Sequence, residues 1–215
     1  MKEFDDFPWD HYTNVFYSKQ VKEQIKNDGV SFLIKESTVK NGKVIFKDVL
    51  HPNWKEIYRQ VIELNVKSVF ECGCGSGHHL QNLKKLNPDL QVAGGELLQS
   101  QIDFGKNVLK IDPDISNKIK VMDLSSTPPL FVFDTWLQNK HEFVYTQAVV
   151  MHLHHQKALN FVRNMSKLSS NYMFLVENKG NHNFPQLFKE SGILEEFELV
   201  ADGIGMLLRR KNAKS

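Results

Sequence analysis

Residues 68–80 read SVFECGCGSGHHL, and no other stretch constrains the fold as much. Val69 and Phe70 close an apolar run and Glu71 follows. Gly73, Gly75 and Gly77 then alternate before Leu80, Leu83 and Leu86 begin a helical period. A strand that ends in an acidic residue and enters a helix through alternate glycines lets the backbone approach a ligand closely, because glycine carries no Cβ and tolerates positive φ. The chain beyond it repeats this strand–helix unit. Residues 66–71 predict a strand and 77–87 a helix. Leu90–Glu96 predicts a second strand, followed by a helix with Leu98, Ile102 and Leu109 on one face. Lys118–Met122 and Phe143–Gln147 predict the third and fourth strands. Ala158, Phe161, Val162, Met165 and Leu168 mark a helix before a fifth strand, Tyr172–Glu177. Such alternation implies a parallel sheet with helices on both faces. At the end, Phe197–Ala201, the turn Asp202-Gly203 and Ile204–Arg210 predict two antiparallel strands instead. The expected class is therefore α/β, a doubly wound, mostly parallel seven-stranded sheet closing in an antiparallel C-terminal hairpin.

Residues 1–65 precede this core. Asp10–Ile25 has Val15, Val21 and Ile25 at loose helical spacing. Phe32–Asp48 predicts a hairpin about Asn41-Gly42, a dipeptide favoured in type I′ turns. Pro52 opens a helix whose apolar face is Trp54, Ile57, Tyr58, Val61 and Ile62. With no linker before Val66, residues 1–65 are read as a helix/hairpin elaboration of the same domain and residues 66–215 as its core. Phe4, Phe7, Trp9, Tyr12, Phe16 and Tyr17 suit either a lid over the open end of the sheet or packing against the outside of the core.

The balance of 27 Lys and Arg against 25 Asp and Glu gives a net charge of +2, so no basic excess calls for nucleic acid or a membrane surface. No apolar run approaches the ~20 residues that span a bilayer, and the acidic, aromatic N-terminus lacks a signal-peptide pattern. Cys72 and Cys74 both lie in the glycine loop. Two thiols do not close a zinc site, so they read as small side chains beside a ligand in a reduced, cytoplasmic protein, with no metal expected.

The run E-x-G-x-G-x-G over Glu71–Gly77 resembles the first motif of the class I S-adenosylmethionine (SAM)-dependent methyltransferases, and the terminal hairpin resembles the end of their sheet. The dinucleotide fingerprint G-x-G-x-x-G shares Gly73 and Gly75, but its third glycine falls on His78, which disfavours a nicotinamide-dependent oxidoreductase. The resemblance covers about residues 66–177 and implies SAM as cofactor. It places Gly73, Gly75 and Gly77, with Cys72, against the methionine portion and ribose, and gives Glu71 the organisation of the loop and an approach to the ammonium through water. Glu96, with Leu97 beside it, aligns with the family's acidic residue for the ribose diol; a Glu complementing the N-terminus of the next helix is compatible with that role. Met122-Asp123-Leu124 aligns with the aspartate and apolar walls for adenine, although an Asp at that point also makes turns and caps.

FVYTQAVVMHL after the fourth strand resembles the family's stretch there, with the irregularity that Glu142 precedes Phe143. Gln147 and Ala148 would lie beside the methionine portion, and His152 matches a histidine frequent in members acting on small molecules. His152 is the first candidate for a catalytic base, with Glu177 and His182 after the fifth strand as the second. His154 and His155 read as solvated, since the spacing is not that of a helical metal pair. The motifs of amino-methylating DNA enzymes and the Pro-Cys of cytosine-C5 enzymes are missing after the fourth strand. The expected activity is methyl transfer to the oxygen or nitrogen of a small polar acceptor such as a sugar or sugar nucleotide. A non-catalytic SAM-binding subunit or scaffold is the alternative.

Overall fold

The computed structural model describes residues 32–127 and 140–213. The helix expected over Asp10–Ile25 and the aromatic run before it lie outside the described residues. The chain enters through a short hairpin, β1 (Thr38–Lys40) and β2 (Lys43–Ile45). Asn41 and Gly42 turn it with φ of 51° and 71°, the two positive values that a type I′ turn needs. The strands are shorter than the sequence predicts because the outer arms are tied differently: the Asp48 carboxylate accepts the N–H groups of Lys35, Glu36 and Ser37. Helix α1 (Pro52–Glu63) then buries Trp54, Ile57, Tyr58, Val61 and Ile62, the face its periodicity predicts.

Seven strands form the main sheet: β3 (Ser68–Cys72), β4 (Gln91–Glu96), β5 (Ile119–Val121), β6 (His141–Gln147), β7 (Ser169–Val176), β8 (Phe197–Asp202) and β9 (Met206–Arg210). Their order is β5-β4-β3-β6-β7-β9-β8. Pairs β3–β4, β3–β6, β4–β5 and β6–β7 are parallel, whereas β9 inserts antiparallel between β7 and β8. The sheet order therefore turns back at β3 and β6, the switch point where open α/β sheets form a crevice beyond the carboxyl ends of their strands.

The period of two along each strand sorts the core into two layers. Val69, Phe143 and Tyr145 join Ile57, Tyr58, Leu80 and Leu83 under α1 and α2 (His78–Leu86). Phe70 and Val144 face the other way, among Phe161, Val162 and Met165 of α5 (His155–Leu168). Phe32, Ile34 and Leu50 belong to the first of these layers, so the described part of the prologue shares the core of the sheet.

Three elements depart from the sequence prediction. The helix after β4 is not uniform: α3 (Gln99–Phe104) widens into a π-helix, Gly105–Leu109. A Cβ at Gly105 would stand 2.1 Å from the Ser76 carbonyl oxygen, so this segment packs directly on the glycine loop. Short α4 (Pro113–Ser116) follows, capped by Asp112. The C-terminal turn is longer than Asp202-Gly203, because Gly203 donates to the Gly205 carbonyl and β9 begins only at Met206. Helix α6 (Phe184–Ser191), with Phe184, Leu187 and Phe188 buried, spans too few turns to stand out as a period.

Candidate cofactor and acceptor site

A cavity of about 300 Å³ opens beyond the carboxyl ends of β3, β4 and β6. The glycine loop forms its floor. Gly73, at φ 73°, and Cys74 both donate to the Gly95 carbonyl, at 2.8 and 3.0 Å. A Cβ at Gly73 would lie 2.4 Å from Val149 Cγ2, so this position has room only for hydrogen. Gly75, at φ 52°, donates its N–H to Glu96 Oε2 at 2.8 Å, and Leu98 N–H reaches Glu96 Oε1 at 3.0 Å. The Glu96 carboxylate is thus pinned at the rim of the loop with a further lone pair on each oxygen. Burial pushes its carboxyl above the usual range, and these amides oppose that rise.

Glu71, only 1% exposed, lines the same cavity, and its Oε2 has no hydrogen-bond partner. Burial pushes its carboxyl well up; the Tyr145 phenol beside it acts in the opposite sense, and the charge of Glu96 adds to the rise. Met122, Asp123 and Leu124 form another wall, and Leu97 lines the rim. Asp123 Oδ1 accepts both the N–H and the hydroxyl of Ser125, at 2.8 and 2.6 Å, so it builds the turn and faces the cavity at once. The described lining carries the carboxylates of Glu71, Glu96 and Asp123 and no Lys or Arg, a setting that favours a cationic or uncharged ligand.

Gln147 lines the cavity too, and its Oε1 lies 2.7 Å from His79 Nε2. His79 Nδ1 lies 2.8 Å from the Tyr58 hydroxyl, which accepts Asn82 Nδ2 at 2.8 Å. Asn82 in turn bonds the Phe32 carbonyl and the Ile34 N–H. With Asn82 donating to Tyr58, Tyr58 to His79 and His79 to Gln147, the chain of donors is consistent from the prologue to the cavity. Burial holds the His79 imidazole down, to about 4, so it is neutral near pH 7.

Other residues nominated from the sequence stand elsewhere. Cys72 shares the parity of Phe70 on β3 and lies in the opposite apolar layer; Cys74 takes the place at the cavity. Gly77, with φ 78°, caps α2 and donates to the Cys74 carbonyl rather than lining the cavity. Glu177 is buried at the end of β7, where Oε1 accepts Val149 N–H and Oε2 accepts Met151 N–H, each at 3.1 Å. Burial raises its carboxyl to about 7, against the pull of those amides. His182 Nε2 donates to the Val150 carbonyl at 2.9 Å. Both side chains therefore hold the turn 149–151, whose Val149 walls the cavity. His152 ends that turn, half-buried, its imidazole lowered by burial. His154 caps α5, and His155 Nε2 pairs with Glu190 Oε2 at 2.5 Å. Among the described residues no group of three His, Cys, Asp or Glu side chains is arranged to hold a metal.

Sequence reasoning passed over Phe32, Trp54, His78 and His79, which wall one end of the cavity; it placed Ala148 beside Gln147 there, but not the φ of 55° at which this non-glycine residue is held. The available signal for the histidines was their position directly behind the last glycine of the loop. For the positive φ of Ala148 there was none, since nothing in an alanine announces it.

No family model and no curated protein matches this chain. Solved structures do. Magnesium protoporphyrin IX methyltransferase from Synechocystis, with SAM bound, aligns at 12% identity and TM-score 0.52 over 74% of this chain and 78% of that one. An O-methyltransferase family protein from Burkholderia thailandensis aligns at 11% identity and TM-score 0.56, over 76% and 56%. The plantazolicin methyltransferase in complex with S-adenosylhomocysteine (SAH) aligns at 10% identity and TM-score 0.53, over 74% and 81%. At these identities the likeness is one of fold.

Proposed function

We propose that this chain, which has the fold of the class I SAM-dependent methyltransferases, binds SAM and transfers its methyl group to the oxygen or nitrogen of a small polar acceptor. The observation that carries this is Glu96, a buried carboxylate pinned by the Gly75 and Leu98 amides at the switch point of the sheet, facing a cavity whose other described charges are also acidic. Glu96 would hold the ribose diol, and the Gly73–Gly75 backbone and Gln147 the methionine portion. The unpartnered oxygen of Glu71 would face the ammonium, and Met122, Asp123 and Leu124 the adenine. The sulfonium supplies an electrophilic methyl carbon when bound, so the protein contributes chiefly alignment and exclusion of water, effects worth ~7–11 kcal/mol in favourable cases. Glu177 and His182 serve this by fixing the turn 149–151. Residues 1–65 would act as an elaboration of the core formed by residues 66–215 rather than as a separate domain.

A non-catalytic SAM-binding subunit is favoured by one observation: Glu177 and His182, two of the three candidate catalytic groups, are both bonded to backbone. Isothermal titration should give one SAH per chain, and the absence of binding at millimolar SAH would overturn the cofactor assignment. Transfer of label from methyl-labelled SAM to any small acceptor would rule out the non-catalytic alternative.

A further inference from the structure

One end of the cavity has no occupant under the cofactor assignment above. Its wall is built of rings: Phe32 meets Trp54 edge-to-face at 5.1 Å, and Trp54 meets His78 at 5.1 Å and His79 at 5.4 Å, also edge-to-face. Trp54 comes from the first turn of α1 and the two imidazoles from the first turn of α2, so rigid elements, not loop tips, present this wall. His79 has both ring nitrogens engaged, by Tyr58 and by Gln147. His78 does not. Its Nδ1 lies 3.1 Å from Ser76 Oγ, while Nε2 is buried without a hydrogen-bond partner in a side chain only 6% exposed. A buried polar atom left unpaired in this way calls for an explanation, and a ligand atom supplies one.

We infer that this end is the acceptor subsite: it takes an uncharged, ring-bearing molecule that lies against Trp54 and Phe32, and the His78 ring, whose Nε2 is covered and unpartnered, turns to meet its hydroxyl or amine. The ring edges and faces of this wall supply contact area for a ring. The described lining offers no Lys or Arg to pair with a phosphate or carboxylate, and the carboxyl groups of Glu96 and Asp123 oppose one. A sugar nucleotide, with its two phosphates, fits this lining poorly; a neutral aromatic or pyranose ring fits it well. The inference depends on the cofactor assignment only for what fills the rest of the cavity.

The test uses the full chain, labelled with 15N at histidine, with and without saturating SAH. Three probes are titrated by NMR: phenol, methyl glucopyranoside and phenyl phosphate. Phenol or the glucoside should move the His78 Nε2 resonance in the SAH-loaded protein, and which of them does so tells an aromatic ring from a saturated one. Trp54→Leu should weaken that probe by about ten-fold or more, a factor equivalent to ~1.4 kcal/mol. His78→Phe should weaken it similarly, with His78→Asn, which keeps a polar atom, as the second variant should the first fail to fold. SAH affinity should stay within about three-fold in all of them, the range of a side chain outside the cofactor's contacts. The subsite is overturned if neither neutral ring moves His78, if phenyl phosphate binds more tightly than both, or if the ring displaces SAH, since that end would then belong to the cofactor. Failure of SAH to bind breaks the cofactor assignment instead, and the probe titrations on the unliganded protein still decide the subsite.

Discussion

On the side of α1 and α2 the cavity is walled by Trp54, His78 and His79, with both nitrogens of His79 tied into a hydrogen-bonded chain and His78 Nε2 covered and unpartnered. After β6 and β7 histidine appears again, as His182 beside the carboxyl of Glu177, but both face backbone and fix the turn 149–151. Histidine thus serves both ends. In the first wall it stands on the first turn of a helix and lines the cavity; in the second it shapes a turn whose Val149 forms the wall. Chemistry-bearing residue types at the ends of parallel strands are therefore insufficient to name a catalytic group, because a wall without regular structure consumes polar side chains to satisfy its own amides.

Removing Glu177 should give the largest effect. Glu177→Ala leaves the Val149 and Met151 amides without their acceptors, and at about 1–2 kcal/mol per orphaned, partly buried donor the loss of stability is about 2–4 kcal/mol. Urea denaturation measures it. A loss under ~1 kcal/mol, typical of a surface substitution, would mean that the turn stands without the carboxylate and would erase the contrast between the walls.

Titration separates the walls by sign. The His79 imidazole sits at about 4 in the fold against an ordinary 6.5. Its contribution is complete above pH 6.5 and declines as pH falls towards 4, by roughly 3 kcal/mol, because the unfolded chain then binds a proton that the fold refuses. The Glu177 carboxyl, at about 7 against 4.5, acts oppositely: its contribution is complete below pH 4.5 and is lost as pH rises through 7. Stability should therefore fall less on acidification from pH 6.5 towards 4 in His79→Gln, and fall less as pH rises from 4.5 through 7 in Glu177→Gln, than in the wild type. Identical curves for wild type and both variants would contradict the burial that separates the two groups.

Glu96→Ala sharpens the comparison from the cavity floor. It should weaken SAH by about 1.5–3 kcal/mol, as for hydrogen bonds to a charged group, and leave the protein folded, since the Gly75 and Leu98 amides it frees border the cavity, where water takes its place. A folded variant with unchanged SAH affinity would remove Glu96 from the cofactor site.

The fold was largely legible because its determinants are local and periodic. Alternation of strand and helix predicted the parallel sheet, the acidic strand end and the glycines predicted the loop, and Asn41-Gly42 predicted the type I′ turn. The π-helix was not legible, since it answers to a contact between Gly105 and Ser76, neighbours only in the folded chain. At the site, the residues read as the cofactor's were those fixed by parity and strand ends: Glu71, Gly73, Gly75, Glu96 and Asp123 all reach the cavity. Cys72 does not, because a strand sends successive side chains to opposite faces and Cys72 falls on the parity of Phe70. The partners of Glu177 and His182 are backbone groups about 30 residues away in sequence, which no spacing rule announces.

The smallest effect expected bears on the relay that ties the prologue to Gln147. Tyr58→Phe removes a hydroxyl that accepts from Asn82 and donates to His79, while Asn82 keeps its bonds to Phe32 and Ile34. Two buried groups are then left bare, the His79 Nδ1 acceptor and one Asn82 amide hydrogen, so the stability loss should be about 2 kcal/mol. The sharper readout is the ring itself. In the wild type, Tyr58 donating to Nδ1 keeps the proton on Nε2, and Nε2 donates to Gln147 Oε1, leaving the Gln147 amide hydrogens free to face the ligand. Without the hydroxyl the proton is no longer confined to Nε2, the Gln147 amide loses its fixed orientation, and SAH should bind a few-fold more weakly, a cost of ~1 kcal/mol or less. Nitrogen chemical shifts of His79 report the tautomer directly. If Tyr58→Phe keeps the Nε2–H form and full SAH affinity while losing only stability, the chain from Asn82 to Gln147 packs the prologue against the core and does not set the polarity of the cavity.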